Sequence, residues 1–420
     1  MQKINNKTFS IITLGCFRNN YDSEIIANRF LSEDYKYIDF KDRVDTLIIN
    51  TCGFIEDAKK ESIEVIREAI DLKKENKIKK ILVCGCLVQR YKEDLRSYFK
   101  DVDEWKGIEE FSLRFIRKKK KLTPKGIDFI KITEGCINRC SYCAIPIIKG
   151  SLKSKPQEEI VKEVKFLDKK STKELNIIGQ DITSWGLDLN CNLNLAKLLK
   201  RVLKEIKNIK WIRLLYTHPK HIDDELIDLI ANEEKICKYI DLPIQHINNR
   251  ILKLMNRNTT KKEIIELIEK LRKKINGLVI RTTVIVGFPT ETEKEFNELL
   301  NFIKDVKFER LGSFIYSREE NTMAYNLKPQ VPNKEKKTRF DILMSTQQKI
   351  AEEVNKRFIG KELELFIQEK EDSVYIGRTQ YDAYEVDGVV YLDNPKNKIK
   401  TGDFYLGKII DSFEYDLVAV

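Results

Sequence analysis

Three of the chain's nine cysteines fall within eight positions: Cys136, Cys140 and Cys143, in Glu-Gly-Cys-Ile-Asn-Arg-Cys-Ser-Tyr-Cys. Thiolates are soft ligands that suit zinc and iron-sulfur clusters. A structural zinc is closed by four ligands, and no fourth is near: the next cysteine is Cys191, and the three histidines are His218, His221 and His246. A [4Fe-4S] cluster held by three thiolates instead keeps one iron open for a reacting ligand. Cys16, Cys52 and Cys86 form a second set, in Leu-Gly-Cys, Asn-Thr-Cys-Gly and Cys-Gly-Cys-Leu. Each follows an apolar run, and in open parallel sheets ligands gather outside the carboxyl ends of the strands. Thiolates so far apart in sequence can thus converge there and hold a second cluster. Cys84, inside the third run, and the isolated Cys191 and Cys237 read as packing residues, since free Cys is commonly buried.

The elements that must position these thiols follow from periodicity. Strand-like runs at Phe9–Leu14, Thr46–Asn50 and Ile81–Gly85 alternate with helical stretches near Asp22–Leu31, Glu56–Glu75 and Gln89–Phe99, the first capped by Asp22 or Ser23. That alternation predicts an α/β domain with a parallel sheet over residues 1–122. It ends in a basic stretch, Arg117 to Gly126, read as a solvated linker. Residues 123–356 repeat the pattern, with strands starting at Phe129 and at Leu175–Ile178, Trp211–Leu215, Tyr239–Leu242, Ile280–Val286 and Leu311–Tyr316. Six such units predict a (βα)6 partial barrel, two strands short of a closed eightfold one. A long helix over Lys334–Arg357 closes it. Residues 357–420 turn short and strand-rich, at Leu363–Ile367, Val374–Arg378, Gly388–Leu392 and Phe404–Phe413, with turns at Asn394-Pro395 and Gly402-Asp403. This predicts a small antiparallel β-barrel.

With spacing and elements in place, the chain resembles the radical S-adenosylmethionine enzymes, through the C-x3-C-x2-C set, Tyr142 before its third Cys, and the barrel. The resemblance implies a cluster whose open iron chelates S-adenosylmethionine and whose electron cleaves it to a 5'-deoxyadenosyl radical. The protein then supplies binding, orientation and a tuned potential. Gly15-Cys16-Phe17-Arg18-Asn19 to Asp22-Ser23-Glu24, completed by Cys52 and Cys86, is similar to the N-terminal signature of the methylthiotransferases. That family carries two [4Fe-4S] clusters and a C-terminal TRAM barrel. Further matches are Gly179-Gln180-Asp181 with Trp185-Gly186, Leu242-Pro-Ile-Gln-His246, Arg250 to Met255, Val286-Gly-Phe-Pro289, and Ile376-Gly-Arg378. Lys149 where Arg is usual, Thr290 where Gly is usual, and Cys84 beside a ligand are departures.

The implied site is then six metal ligands, Cys16, Cys52, Cys86, Cys136, Cys140 and Cys143, with S-adenosylmethionine contacts at Tyr142, Gln180, Gly287 and Pro289. Gly287-Phe288-Pro289 reads equally as a tight turn. His246 reads as cavity-facing or as a structural histidine, and His218 and His221, flanking Pro219, read as loop residues. Within the family the chain is most similar to the branch that methylthiolates the β-carbon of an aspartate on small-subunit ribosomal protein number twelve. An external electron donor such as flavodoxin or ferredoxin is implied. The rival enzyme is a tRNA adenosine methylthiotransferase. A two-cluster electron-transfer protein, or a zinc-stabilised RNA-binding module, is the reading of another class. The barrel is more machinery than electron transfer needs, and the missing fourth ligands count against zinc.

Composition sets the surroundings. With 42% hydrophobic and 34% charged residues among 420, the chain has material for cores. Its longest apolar run, Ile81–Val88, falls far short of the roughly 20 residues that span a bilayer. The polar N-terminus lacks the apolar stretch of a signal peptide. We read a cytoplasmic monomer with reduced thiols and no membrane partner. The net charge of +11 conceals an asymmetry, because residues 357–420 hold 8 basic and 13 acidic side chains. A tRNA-gripping barrel needs Lys and Arg for phosphates. The acidic clusters Glu369–Asp372 and Asp382–Asp387 predict instead a surface complementary to a basic protein.

Overall fold

The computed structural model describes residues 7–111, 120–189, 192–393 and 399–420. Strands β1 (Thr8–Thr13), β2 (Lys36–Tyr37), β3 (Val44–Thr51), β4 (Ile78–Gly85) and β5 (Glu104–Lys106) form a parallel sheet in the order β2-β1-β3-β4-β5. Side chains alternate faces along a strand, so β3 sends Leu47 and Ile49 one way and Ile48 the other. The first layer packs with Ile66 and Ile70 of α2 (Glu56–Lys74) and Leu87 and Leu95 of α3 (Cys86–Tyr98). The second packs with Ile26 and Phe30 of α1 (Phe17–Ser32) and holds Cys84.

Two helix starts differ from expectation. Helix α1 begins at Phe17, with Cys16 as its N-cap residue. Asp22 and Ser23 are buried inside it instead of capping it: Asp22 pairs with Lys131 at 2.6 Å, and Ser23 Oγ meets the Thr13 hydroxyl at 2.7 Å. Helix α3 begins at Cys86, three residues before the expected Gln89. Both cysteines therefore stand where a strand hands over to a helix.

The second segment is a six-stranded, wholly parallel sheet, ordered β13-β12-β11-β10-β9-β6, from β6 (Ile127–Lys131) to β9 (Glu174–Ile178), β10 (Trp211–Leu214), β11 (Ile236–Asp241), β12 (Val279–Val286) and β13 (Arg310–Ile315). A short antiparallel ladder of β7 (Thr133–Glu134) and β8 (Lys153–Ser154) flanks α4 (Ile145–Lys149). Helices α5 (Gln157–Lys169), α6 (Leu195–Leu203), α7 (Asp224–Asn232), α8 (Asn249–Leu254), α9 (Lys261–Lys274), α10 (Glu293–Val306) and α11 (Asn333–Asn355) complete the segment. All but α4 and α8 share one apolar core cluster with a single α8 residue, Leu252.

The last segment closes into a barrel of β14 (Glu362–Glu371), β15 (Val374–Arg378), β16 (Val390–Leu392), β17 (Phe404–Ser412) and β18 (Leu417–Ala419). The pair β16–β18 runs parallel within this otherwise antiparallel barrel. The barrel's core is continuous with that of its neighbours: Leu365, Phe366 and Ile409 share a cluster with Phe129, Trp211 and Tyr239 and with Phe17 and Tyr21 of α1. Phe17 stacks on Phe129 with centroids 4.8 Å apart.

The acidic clusters part company. Glu369, Glu371 and Asp372 are exposed, whereas Asp382 is buried against Arg310 at 2.6 Å and Asp387 meets Arg281 at 3.4 Å and Tyr239 at 2.7 Å. Two of the six expected acids thus clamp the barrel to the central sheet, while Glu385, between them, is exposed. Cys191, Asn394-Pro395 and residues 117–119 of the expected linker lie outside the described residues. Among the described residues no helix is long and apolar enough to cross a membrane.

Candidate functional site

A cavity of about 400 Å³ opens at the carboxyl ends of the central strands, and all three segments wall it. The loop after β7 brings Cys136, Cys140 and Cys143. It is pinned to α8, because the Ser141 N–H donates to Met255 O at 2.9 Å and its hydroxyl to Leu254 O at 2.7 Å. The N-terminal segment brings Cys16, Phe17, Arg18 and Phe54, and the C-terminal barrel brings Ala383 and Val386.

Cys52 and Cys86 gather behind Cys16. Gly15 has φ +91°, and a Cβ there would stand 2.9 Å from Cys52 Sγ, so only glycine lets the two loops approach. Asn19 ties the strand ends together, donating to Leu14 O at 2.7 Å and Thr51 O at 3.1 Å. All the described cysteines are free thiols. Burial pushes Cys86 and Cys143 up to about 12 and raises Cys52 and Cys136. Within each set neighbouring thiols add to the rise: Cys52 and Cys16 act on Cys86, and Cys140 and Cys136 act on Cys143. Each set is therefore one electrostatic unit. Burial also acts to raise Cys16, but the adjacent Arg18 guanidinium and the backbone N–H groups of Arg18 and Asn19 together outweigh it and lower that thiol.

Among the described residues no three His, Cys, Asp or Glu side chains converge to hold a single metal ion. Three free thiols bordering a cavity, as Cys136, Cys140 and Cys143 do, have the chemistry to hold a multi-iron cluster, which takes thiolates and releases their protons on binding. The second set has the same donors, with Cys16 alone on the cavity wall.

Of the expected cofactor contacts, Tyr142 and Gln180 lie on the cavity wall. Gln180 is already engaged, its Oε1 accepting from Arg18 Nη1 at 2.6 Å. The structure does not bring Gly287 and Pro289 to this wall. Gly287, at φ +69°, turns the chain past α11, where a Cβ would strike the Lys336 side chain at 2.3 Å; the turn reading holds there. His246 is buried off the wall, its Nδ1 accepting from Asn248 N–H at 3.0 Å, and burial lowers it to about 4. His218 does line the cavity; burial, with Arg257 nearby, lowers it to about 2. Its Nδ1 accepts the Lys220 N–H at 3.2 Å, which puts the proton on Nε2, an atom with no partner. His221 Nδ1 meets the Asp181 carboxylate at 2.8 Å.

Sequence reasoning missed Arg257, Tyr216, Gln245, Asp241 and Arg281, all on the wall. Tyr216 and Gln245 adopt φ +64° and +69° just beyond β10 and β11, a strained backbone of the sort that collects at functional sites. The one available signal was position, and only for three of them: Asp241 ends β11, and Tyr216 and Gln245 follow β10 and β11.

Comparison with known proteins agrees with this architecture. Residues 8–107 match the uncharacterized protein family UPF0004, 130–303 the radical SAM superfamily and 359–420 the TRAM domain. The chain is 43% identical to the ribosomal protein uS12 methylthiotransferase RimO of Thermoanaerobacter sp. (strain X514), covering 98% of this chain and 99% of the relative. It is 44% identical to the RimO of Caldanaerobacter subterraneus subsp. tengcongensis, with 98% and 99% covered. At 40% identity, the RimO of Christiangramia forsetii covers 97% of this chain and 93% of its own. In fold alone, the radical S-adenosylmethionine methyltransferase TsrM from Kitasatospora setae is similar, with a TM-score of 0.54 at 13% identity over 76% of this chain and 77% of that one. Thiols at the mouth of a radical SAM barrel, flanked by these two domains and matched end to end by such relatives, make the chain a member of the RimO family of methylthiotransferases.

Proposed function

We propose that this chain methylthiolates ribosomal protein uS12, replacing a hydrogen on the β-carbon of an aspartate with a methylthio group. The observation that carries the reading is the shared cavity: Cys16 of one thiol set and Cys136, Cys140 and Cys143 of the other border the same space. Near-full-length likeness to the uS12 enzymes supports the substrate. When bound, two [4Fe-4S] clusters and S-adenosylmethionine supply the electron, sulfur, methyl and radical chemistry.

The chain's own residues hold and enclose these groups. Cys136, Cys140 and Cys143 would hold the cluster that takes S-adenosylmethionine, and Cys16, Cys52 and Cys86 the one that supplies sulfur. Tyr142, Phe54 and Phe314 present aromatic surface along the wall. Arg281 is neutralised by Asp241 at 3.3 Å and Asp387 at 3.4 Å, which fixes the wall opposite the thiols. Electrons come from an external flavodoxin- or ferredoxin-like donor, and the enzyme works as a cytoplasmic monomer.

The test is anaerobic reconstitution, iron analysis and mass spectrometry of uS12 and tRNA after turnover. We expect about eight irons per chain, methylthio-aspartate on uS12 and unmodified tRNA. Changing Cys16, Cys52 and Cys86 to Ala should halve the iron, keep reductive cleavage of S-adenosylmethionine and end sulfur transfer. Full iron in that variant refutes the two-cluster assignment, and methylthiolated adenosine with unmodified uS12 refutes the substrate.

A further inference from the structure

Each thiol set has one arginine that meets a sulfur and no carboxylate. Arg18, half-buried on the cavity wall, donates Nε–H to Cys16 Sγ at 3.3 Å. Its Nη1 donates to Gln180 Oε1 at 2.6 Å and Gly179 O at 3.2 Å, and its guanidinium carbon lies 4.5 Å from the Tyr216 ring centre. Arg257 is only 5% exposed; it donates Nη1–H to Cys140 Sγ at 3.6 Å and Nη2–H to Pro243 O at 2.5 Å. Its Nε has no partner. Arg281, on the same wall, has two carboxylate partners. Among the described residues, Arg18 and Arg257 have none.

Withdrawing a cation from water without a counter-charge costs several kcal/mol, so a fold that keeps two of them needs negative charge beside each. The sulfurs are what stand within hydrogen-bond reach, the Asp181 carboxylate acting on Arg257 from further off. A cluster on three thiolates is electron-rich, and its reduction potential is set by net charge, hydrogen bonds to sulfur and solvent exposure. A guanidinium donating to a ligating sulfur stabilises the reduced, more negative state. We propose that Arg18 and Arg257 are paired potential-setting residues, one per cluster, each raising the reduction potential of the cluster on its own thiol set. This rests on the two-cluster reading above. It also gives Gln180 a task other than touching cofactor: with Gly179 O it holds the Arg18 fork across the gap between two domains.

The experiment is an EPR-monitored redox titration, without S-adenosylmethionine, of reconstituted wild type, Arg18→Gln, Arg257→Gln, Arg18→Lys and Arg257→Lys. The variant lacking Cys16, Cys52 and Cys86 assigns the two signals. Arg18→Gln is expected to lower the midpoint of the N-terminal cluster alone, and Arg257→Gln that of the barrel cluster alone. Each Lys variant should recover most of its shift, because it keeps the charge and loses only the planar fork. If a Gln variant fails to retain iron, the Lys variant decides, with a smaller shift of the same sign on the same cluster. Unchanged midpoints at full iron content, or both midpoints moving together, overturn the proposal. Wild type holding only about four irons with a single signal overturns the two-cluster reading instead.

Discussion

Cys84 lies two residues before Cys86, yet its side chain enters the apolar layer under α1, with Phe9, Ile26, Phe30 and Leu82. Cys237 packs among Trp211, Tyr239 and Val279. Changing either to Ala should leave iron content unchanged and cost about 1 kcal/mol through a small cavity, read as a fall in urea midpoint. Iron loss in Cys84→Ala would mean that the wrong member of the Cys-Gly-Cys pair has been assigned as ligand. His218 offers a sharper check on the wall. Its Nδ1 is an acceptor and burial holds its pKa near about 2, so nitrogen NMR should find the neutral Nε2–H form down to about pH 5, well below the ordinary histidine range. An imidazolium signal at that pH would contradict the hydrogen-bond assignment. Such residues were only partly legible in the sequence. Spacing disclosed the thiols, because three ligands in one short loop are a local fact. Arg257 is 117 positions from Cys140, and nothing local marks it.

At the scale of elements, α10 shows how a helix start can carry a pH dependence. Thr292 and Glu295 form a capping box, and Arg250 clamps the Glu295 carboxylate at 2.6 Å. Burial acts to raise this carboxyl, but Arg250 and the Thr292 donors prevail and lower it from 4.5 to about 2. A depressed carboxyl contributes stability that is full above its unfolded pKa and lost as pH falls through the folded one. The urea midpoint should therefore fall between about pH 4.5 and 2 by more in wild type than in Glu295→Gln, the difference amounting to about 1 kcal/mol once solvent screening is allowed for. Equal falls would remove the carboxylate from the account. Strands and long helices were legible because apolar period is a property of neighbours in sequence. The start of α1 was not. Asp22 and Ser23 have the chemistry of caps, and only a lysine 109 positions away explains why Asp22 is instead buried in mid-helix. Thr290, the departure from glycine, takes φ +70°; Arg250 bonds its hydroxyl at 3.0 Å and its carbonyl at 2.7 Å, holding a backbone that glycine would adopt freely.

Across the molecule, charge is spent on joining segments. Glu174 at the start of β9 accepts from Arg213 at 2.8 Å and from Arg378 of the C-terminal barrel at 2.5 Å, all three side chains being buried. The acidic count of the last segment was correctly legible, but its direction was not, because composition does not say which face an aspartate takes. Asp382→Ala should therefore cost about 3–5 kcal/mol by stranding Arg310, whereas Glu371→Lys, on the exposed hairpin, should cost less than about 0.5 kcal/mol. Thermal melts of the two variants distinguish these outcomes, and equal losses would mean that the clamp is not where the stability lies. A partner attracted by charge must meet Glu369, Glu371, Asp372 and Glu385, so reversing these four should slow uS12 modification at low salt and hardly at all at high salt. The loop that brings Ala383 and Val386 to the cavity has one more consequence, which concerns time. Domains generally fold as units, N-terminal ones first during synthesis, so both thiol sets emerge before the segment that completes their enclosure. The nascent protein would pass through an interval in which iron and sulfide meet a wider opening, which docking of the final barrel narrows. Loosening that latch with Asp382→Ala should speed iron uptake by the finished apoprotein, while an unchanged uptake rate would place the entrance elsewhere.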